Sequence, residues 1–455
     1  MSENKYYSTN HKAPEVSFRE ALLSGLAPDG GLYLPELIPK IDREEILSFR
    51  SKEYHEIAAA VLDHFLSGEI DYNILGSLCG EAYNFNVPID RVFERNYILR
   101  LDQGPTASFK DFAVRMMARL MNFFLSVKSR QLNILTATSG DTGSAVANAF
   151  HGLENIDVIV LFPRSEVSEI QRKQMTTLKG NIHTISIDGK FDDCQRLAKK
   201  AFLDPSLKDI SLSSANSINI GRLLPQTVYY FYAWAKLTEN GNEKAVFSVP
   251  SGNYGNLMGG ILACKMGLPV NRFIISTNRN DEVPVYLRSG LYNIISPSYN
   301  CISSAMNVGH PSNLARIIAL YGGEMNEKGT ILREPELEKM RSDFFGISIS
   351  DNETRKTIAE CYKKYGILLE PHGAVAWRGL ESYHGQKSQE ASGDNIFISL
   401  ETAHPAKFAE DIISILGFSP AVPSSLNGIT EKNEEYTELD NDYGQLKEYF
   451  LKHLK

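Results

Sequence analysis

The stretch Leu132-Asn133-Ile134-Leu135-Thr136-Ala137-Thr138-Ser139-Gly140-Asp141-Thr142-Gly143 decides the fold class. Leu132 to Ala137 is a short apolar run that reads as a buried strand, Thr138 to Gly143 is a turn of small and polar residues, and Ser144 to His151 reads as a helix. A further apolar run, Asp157 to Phe162, follows closely, so the unit is strand, helix, strand, the connection that parallel neighbours require. The same punctuation recurs outward from this unit. Pro163 and a polar helix over Glu166 to Leu178 lead to a strand at His183 to Ile187. Lys244 to Val249 feeds Pro250-Ser251-Gly252-Asn253-Tyr254-Gly255-Asn256 and a helix over Leu257 to Met266, and Asn395 to Leu400 runs into Glu401-Thr402-Ala403-His404-Pro405. From Tyr97 onward the chain therefore reads as parallel α/β sheets.

Before about Asn96 the pattern differs. Tyr54 to Ser67 carries Ala58, Val61, Leu62, Phe65 and Leu66 at helical spacing, and Pro28-Asp29-Gly30-Gly31 is a turn cluster ahead of the apolar Leu32 to Leu34. This part reads as a separate mixed α/β layer. At the other end, Pro423 and the acidic run Glu431 to Asp442 mark the expected end of the packed body, with a solvated tail beyond it.

Composition narrows the function classes. The balance of 47 Lys and Arg against 55 Asp and Glu leaves a charge of −8, which argues against counterion-displacing nucleic-acid binding. No run approaches the roughly 18–20 apolar residues of a membrane span, and Met1 to Lys12 is polar, so a soluble cytoplasmic protein is expected. Cys79, Cys194, Cys264, Cys301 and Cys361 are widely spaced without a C-x-x-C pair, and no His pair has H-x-x-x-H spacing; reduced thiols and no metal site are expected.

Ligands of parallel sheets bind beyond the C-terminal strand ends, where glycine-rich turns expose N–H groups at helix N-termini. Two such turns are present. Ser139-Gly140-Asp141-Thr142-Gly143 suits a carboxylate or phosphate, and Gly252-Asn253-Tyr254-Gly255-Asn256 has the character of a phosphate cradle; either alone is also compatible with a plain βα connection. Neither follows the nucleotide pattern G-x-G-x-x-G, and no P-loop Lys-Ser/Thr follows. A third element, Gly104 to Phe112, places Lys110 at the start of the apolar helix Ala113 to Leu125, among Phe109, Phe112 and small residues. Apolar burial and the positive end of the helix both disfavour its charged form, and a neutral lysine is a nucleophile able to form a Schiff base with a carbonyl.

Gly104 to Asp111, Ser139 to Ala145, Pro250 to Asn256 and Thr402 to Phe408 together resemble the threonine synthase family, pyridoxal 5′-phosphate enzymes of fold type II, the fold of tryptophan synthase β. The likeness extends over Val16 to Pro35, Leu223 to Phe231, Ser312-Asn313 and Glu370 to Ala374, nearly the whole chain, and the N-terminal layer with the T-A-H-P-A-K-F ending favours the longer, bacterial and fungal branch. The resemblance implies two parallel-sheet α/β domains plus the N-terminal layer: residues 1–96, a large cofactor domain of 97–120 and 215–425, a smaller mobile domain of 121–214, and the acidic tail 426–455. It implies that Lys110 carries the cofactor and is the catalytic base, that Gly252, Asn253, Tyr254, Gly255 and Asn256 hold the cofactor phosphate, and that Thr402 faces the pyridine nitrogen. A neutral hydroxyl there is expected to leave that nitrogen less protonated than a carboxylate would. Ser139, Asp141 and Thr142 match the loop around the substrate α-carboxylate, with Asp141 near the cofactor ring oxygen. The chain departs from the family pattern at Gln103, where many relatives have His, and at Asn307, where many have Asp; the pattern thus defines the cofactor site more fully than the substrate-phosphate pocket.

The implied reaction converts O-phospho-L-homoserine and water to L-threonine and phosphate. Alternatives within the same fold are a phospho-lyase releasing a 2-oxo acid, ammonia and phosphate, and a catalytically silent pyridoxal-binding protein. For the substrate phosphate, Arg164 ranks first because Pro163 puts it at a strand end, ahead of Lys173, Arg115 and Arg119. His372 and His404, each beside a proline, read as structural rather than proton-carrying, and Tyr229 to Trp234 as helix core. A monomer and a homodimer are equally compatible with the sequence.

Overall fold

The computed structural model describes residues 4–126, 131–386 and 394–454. The opening strand–turn–helix unit forms as Leu132–Ala137, a turn, and the helix Asp141–Phe150, with Ile156–Pro163 as the next strand. In the small domain, Leu132–Ala137, Ile156–Pro163, Ile182–Asp188, Leu212–Ser213 and Thr437–Asp440 make an all-parallel sheet with Leu132–Ala137 inside it. Alternation along these strands sorts their side chains. Leu135, Ala137, Ile159, Leu161, Ile185 and Ile187 face one core with Leu446 and Phe450, while Ile134, Val158, Val160 and Phe162 face the main core.

The larger domain holds a six-stranded sheet in the order Phe344–Ser348, Val270–Thr277, Ala245–Pro250, Ile396–Glu401, Asn96–Arg100, Ile89–Phe93. All neighbours are parallel except the last pair. The strands Ala245–Pro250 and Ile396–Glu401 lie side by side at the centre, so the loops they feed, Ser251 to Tyr254 and Thr402 to His404, emerge together at one end.

Two expected boundaries move. Strand Ile89–Phe93 is the antiparallel edge of the large sheet, so the N-terminal layer ends before it and not at residue 96; the helix Lys110–Ser126 likewise runs through the expected cut at 120. The acidic segment is not a solvated tail. Thr437–Asp440 is the parallel partner of Ile182–Asp188, and the helix Tyr443–His453 buries Leu446 and Phe450. Its acids are the charges of an edge strand and its approach, where they oppose pairing with other chains. They meet basic residues of the small domain: Glu434 pairs with Arg172 at 2.9 Å, Glu435 with Lys179 at 3.2 Å and Glu438 with Arg164 at 3.5 Å.

The N-terminal layer braces the helix that begins at Lys110. Tyr54 packs edge-on against Tyr83, Phe112 and Tyr232 at 5.0–5.3 Å, and the Tyr83 hydroxyl donates to the Phe112 carbonyl at 2.9 Å. Among the described residues no helix is long and apolar enough to cross a membrane, and all five cysteines are free thiols.

Candidate active site

Lys110 sits at the first position of its helix, and the loop ahead of it is tied to the end of the central strand. Phe109 N–H donates to the Thr402 carbonyl at 2.9 Å, Ser108 bridges Ala403, and the buried Asp111 carboxylate accepts from the Thr106 N–H and hydroxyl at 2.9 and 2.7 Å. Ala107 holds φ = 54° to make this turn. The Lys110 ammonium lies 3.8 Å from Asp141 Oδ2 and 4.6 Å from the centre of the Phe109 ring. Burial pushes its pKa down to about 8; Arg222 and Lys407 push the same way, against the opposing charges of Asp141 and Glu370.

Asp141 opens the helix Asp141–Phe150. Its Oδ1 accepts from the Lys407 ammonium at 2.6 Å, a side chain with no solvent exposure, and from Gln171 Nε2 at 2.9 Å. Burial alone would raise its pKa, but the two lysines outweigh burial and hold it well below the usual carboxylate range. Gly140, at φ = 135°, and Gly143 both donate their N–H groups to the Thr138 hydroxyl at 2.9 and 2.8 Å, which shapes the loop and leaves Ser139 and Thr142 lining the cleft.

Opposite, the helix Gly255–Met266 points its N-terminus into the same cleft; its N-cap residue Tyr254 makes no side-chain capping bond, and Asn256 Oδ1 accepts from the Leu257 N–H at 3.0 Å. The asparagines of this loop are spent on its shape. Asn253 donates to Ser217 Oγ at 2.5 Å and accepts from Ser312 N–H at 2.6 Å, while Asn256 Nδ2 donates to the Pro250 carbonyl at 2.8 Å. The backbone N–H groups are left facing the cleft as an anion cradle. Tyr254 takes φ = 62°, and a Cβ on Gly252 would stand 2.8 Å from the Ala305 oxygen, so the approach of that loop requires glycine. Thr402, Glu370 and His372 close the far wall, with Thr402 and His372 lining the cleft.

The structure brings Lys110, Ser139, Asp141, Thr142, the loop 252–256 and Thr402 around one cleft. It does not bring Arg164 there. That side chain is exposed and pairs with Glu438 at 3.5 Å, the edge strand Thr437–Asp440 drawing it to the surface. The lower-ranked cations are engaged elsewhere too: Arg115 donates to the Ala82 carbonyl at 2.6 Å, Arg119 lies by Glu81, and Lys173 donates to the Thr430 and Lys432 carbonyls. Besides Lys110, the Lys or Arg side chain that lines the cleft among the described residues is Arg222. It is 3% exposed, Nη1 donates to the Ala215 carbonyl at 2.5 Å, and Nε is buried with no partner among the described residues. Burial pushes its pKa down to about 10. Sequence reasoning missed Arg222 and Lys407 because each becomes relevant only through a distant part of the chain, Arg222 beside Lys110 and Lys407 on Asp141; the stretch Thr402 to Phe408 contained Lys407, and Leu223 to Phe231 began one residue after Arg222. Gln103 and Asn307, the two departures from the family pattern, do not line the cleft: Gln103 donates to Asp102, and Asn307 accepts from Asn278.

Comparison with known proteins matches this site. Residues 90–400 match the family described as pyridoxal-phosphate dependent enzyme, residues 5–83 the threonine synthase N terminus, and residues 374–450 the threonine synthase C-terminal family. Threonine synthase of Haemophilus influenzae is 40% identical over 452 residues, 98% of this chain and 99% of its own. The chain belongs to the threonine synthase family. The crystal structure of pyridoxal-phosphate-bound threonine synthase from Brucella melitensis superposes with a TM-score of 0.90 at 37% identity, and that of the yeast enzyme with 0.89 at 30%, each covering 99% of both chains. As a threonine synthase family member the chain is a pyridoxal-phosphate enzyme of fold type II, and the cleft fits that group. A lysine with a depressed pKa suits its aldehyde chemistry, a helix N-terminus whose N-cap side chain makes no bond suits its phosphate, and the Thr402 hydroxyl lining the cleft suits a ring nitrogen.

Proposed function

We propose that this chain converts O-phospho-L-homoserine and water to L-threonine and phosphate, with Lys110 carrying the pyridoxal phosphate. The observation behind this reading is full-length similarity to threonine synthases, 40% identical over 98% of the chain in one relative, with Lys110 sitting between two anion-binding loops. When bound, pyridoxal phosphate supplies an electron sink that makes protons next to the substrate amine labile.

The residues take the following parts in this reading. The N–H groups of Gly252, Asn253, Tyr254, Gly255 and Asn256 would hold the cofactor phosphate, and Thr402 would serve its ring nitrogen. Ser139 and Thr142, at the N-terminus of Asp141–Phe150, hold the substrate α-carboxylate. Lys110 would take the proton at Cα, release it to the electron-rich system that the cofactor would supply, and, neutral again, take one at Cβ; a pKa of about 8 leaves it a workable base near neutral pH. Asp141 stays ionised and keeps that amine in place through its 3.8 Å contact, itself held by Lys407. Arg222, buried and with Nε unpartnered, is the cation that receives the substrate phosphate and supports its departure. Phe109, Phe191, Met306 and Val308 line the same cleft and limit water to the molecule that adds at Cβ.

The test is product analysis with purified holoenzyme and O-phosphohomoserine. Threonine and phosphate in equal amounts support the reading. A 2-oxo acid with ammonia, or cofactor binding without turnover, overturns it.

A further inference from the structure

A second cavity lies behind the strand-end loop that carries Thr402. Its volume is about 270 Å³; Asp90, Arg100 and His404 line it together with the apolar Ile367, Leu368, Pro405 and Pro420. Sites for cofactors and drug-sized ligands run to about 300–1,000 Å³, so this one suits a molecule of about eight heavy atoms.

Its charges come as one pair. Arg100 spends Nε and Nη2 on Asp102 at 3.1 and 2.5 Å. Nη1 is left 3.9 Å from Asp90 Oδ2, beyond hydrogen-bond distance, and the Asp90 side chain is 45% exposed. A gap of that width has a chemical meaning. In a free α-amino acid the ammonium nitrogen and the nearer carboxylate oxygen stand about 2.7 Å apart, by standard bond lengths. With a charge-assisted hydrogen bond of about 2.8 Å at each end, carboxylate on Nη1 and ammonium on Oδ2, the four atoms close as a quadrilateral whose fourth side is the observed 3.9 Å. A simple anion would meet Asp90, and a simple cation would meet Arg100; a zwitterion satisfies both. His404 adds a donor. Its Nδ1 accepts from the Ala406 N–H at 3.1 Å, so the hydrogen is on Nε2, and burial pushes its pKa down and favours the neutral ring. The apolar walls leave room for an aliphatic side chain and, among the described lining residues, no partner for a third charge.

We propose that this cavity binds a free α-amino acid with a short aliphatic side chain, held by Arg100 and Asp90, and that occupancy bears on the cleft through the loop 402–407. The wall residues His404 and Pro405 continue the chain from Thr402. The His404 N–H donates to the Ala107 carbonyl at 3.0 Å, in the turn that precedes Lys110, and Lys407 reaches Asp141 at 2.6 Å. A ligand pressed against Pro405 therefore pushes on a segment tied both to the Lys110 turn and to the carboxylate beside Lys110.

The test is equilibrium dialysis of the full-length holoenzyme against radiolabelled L-valine at up to about 10 mM. Saturable binding is expected, with 3-methylbutanoate and isobutylamine, which each keep one of the two charges, competing about fivefold more weakly. Asp90→Asn should weaken L-valine about fivefold, the upper end for a half-exposed ion pair, and leave 3-methylbutanoate no weaker. Ala421→Phe, which puts a ring into the cavity, should abolish binding. In kinetics with O-phosphohomoserine, saturating L-valine should change kcat in the wild type and not in Ala421→Phe. No saturable uptake, or uptake undiminished in either variant, overturns the site. Inhibition that only raises KM puts the ligand in the cleft and overturns it too, and binding with kcat unchanged overturns the link through the loop. Dialysis needs no turnover, so failure of the proposed reaction and failure of this site are told apart.

Discussion

Replacing Asp141 by Asn should lower the pH at which the Lys110 amine of the apoprotein becomes neutral. Burial is the strongest influence on Lys110 and pushes its pKa down, as do Arg222 and Lys407; Asp141 is the strongest influence in the other direction. Opposite charges about 4 Å apart attract by about 4 kcal/mol at an effective dielectric of about 20. At about 1.36 kcal/mol per pH unit this is about three units. That figure is a ceiling, because Lys407, which loses its 2.6 Å partner in the same variant, relieves part of the repulsion by moving. From a starting point of about 8, the expected midpoint falls to between about 5 and 7. At pH 6 the neutral fraction of Lys110 then rises from about 1% to about 10% or more. The assay is the rate at which the apoprotein forms a borohydride-trappable bond with limiting pyridoxal phosphate, followed from pH 5 to 9. The variant stays measurable, since breaking a buried pair costs about 3–5 kcal/mol out of a typical total of about 5–15. A midpoint that stays in place or moves up would refute the charge assignment, whatever happens to the melting temperature.

Arg222→Leu should lower kcat/KM for O-phosphohomoserine by about 10- to 150-fold, the range of a lost charge-assisted hydrogen bond, while Arg164→Ala stays within about twofold; steady-state kinetics with both variants checks the exchange of roles. Thr138→Val removes the hydroxyl that accepts from Gly140 and Gly143, and should cost about 1–2 kcal/mol in chemical denaturation with a weaker substrate carboxylate interaction. A chain ending at Tyr436 loses Leu446 and Phe450 from the small-domain core, at about 1.5–3 kcal/mol each, and should show accelerated proteolysis between residues 131 and 213; unchanged protection would restore the picture of a solvated tail.

The legible parts of this protein are those whose signal is local. The strands Leu132–Ala137 and Ala245–Pro250 announce themselves by an apolar run that ends in glycine-rich turns, and Lys110 stands out because an ammonium at the head of an apolar helix is out of place. Strand Thr437–Asp440 has no such signal. Its residues are Thr-Glu-Leu-Asp, and what makes it a strand is the open edge of Ile182–Asp188 and the basic side chains waiting beside it. Ranking Arg164 first followed a sound rule about strand ends, but the rule says which residues sit near a cleft mouth and not which way they face.

The charge balance of the site explains why its cations were the least legible. Lys110 and Arg222 line one cleft with Asp141 as the paired anion and Lys407 buried against it, while the chain as a whole carries −8. A composition count averages over the surface, where acids such as Glu434, Glu435 and Glu438 are consumed by neighbouring basic residues. This surplus of positive charge is buried. Burial depresses Lys110 to a pKa of about 8 and leaves Arg222 Nε without a partner among the described residues; in the function proposed above, the first is a base near neutral pH and the second a donor held for an anionic substrate.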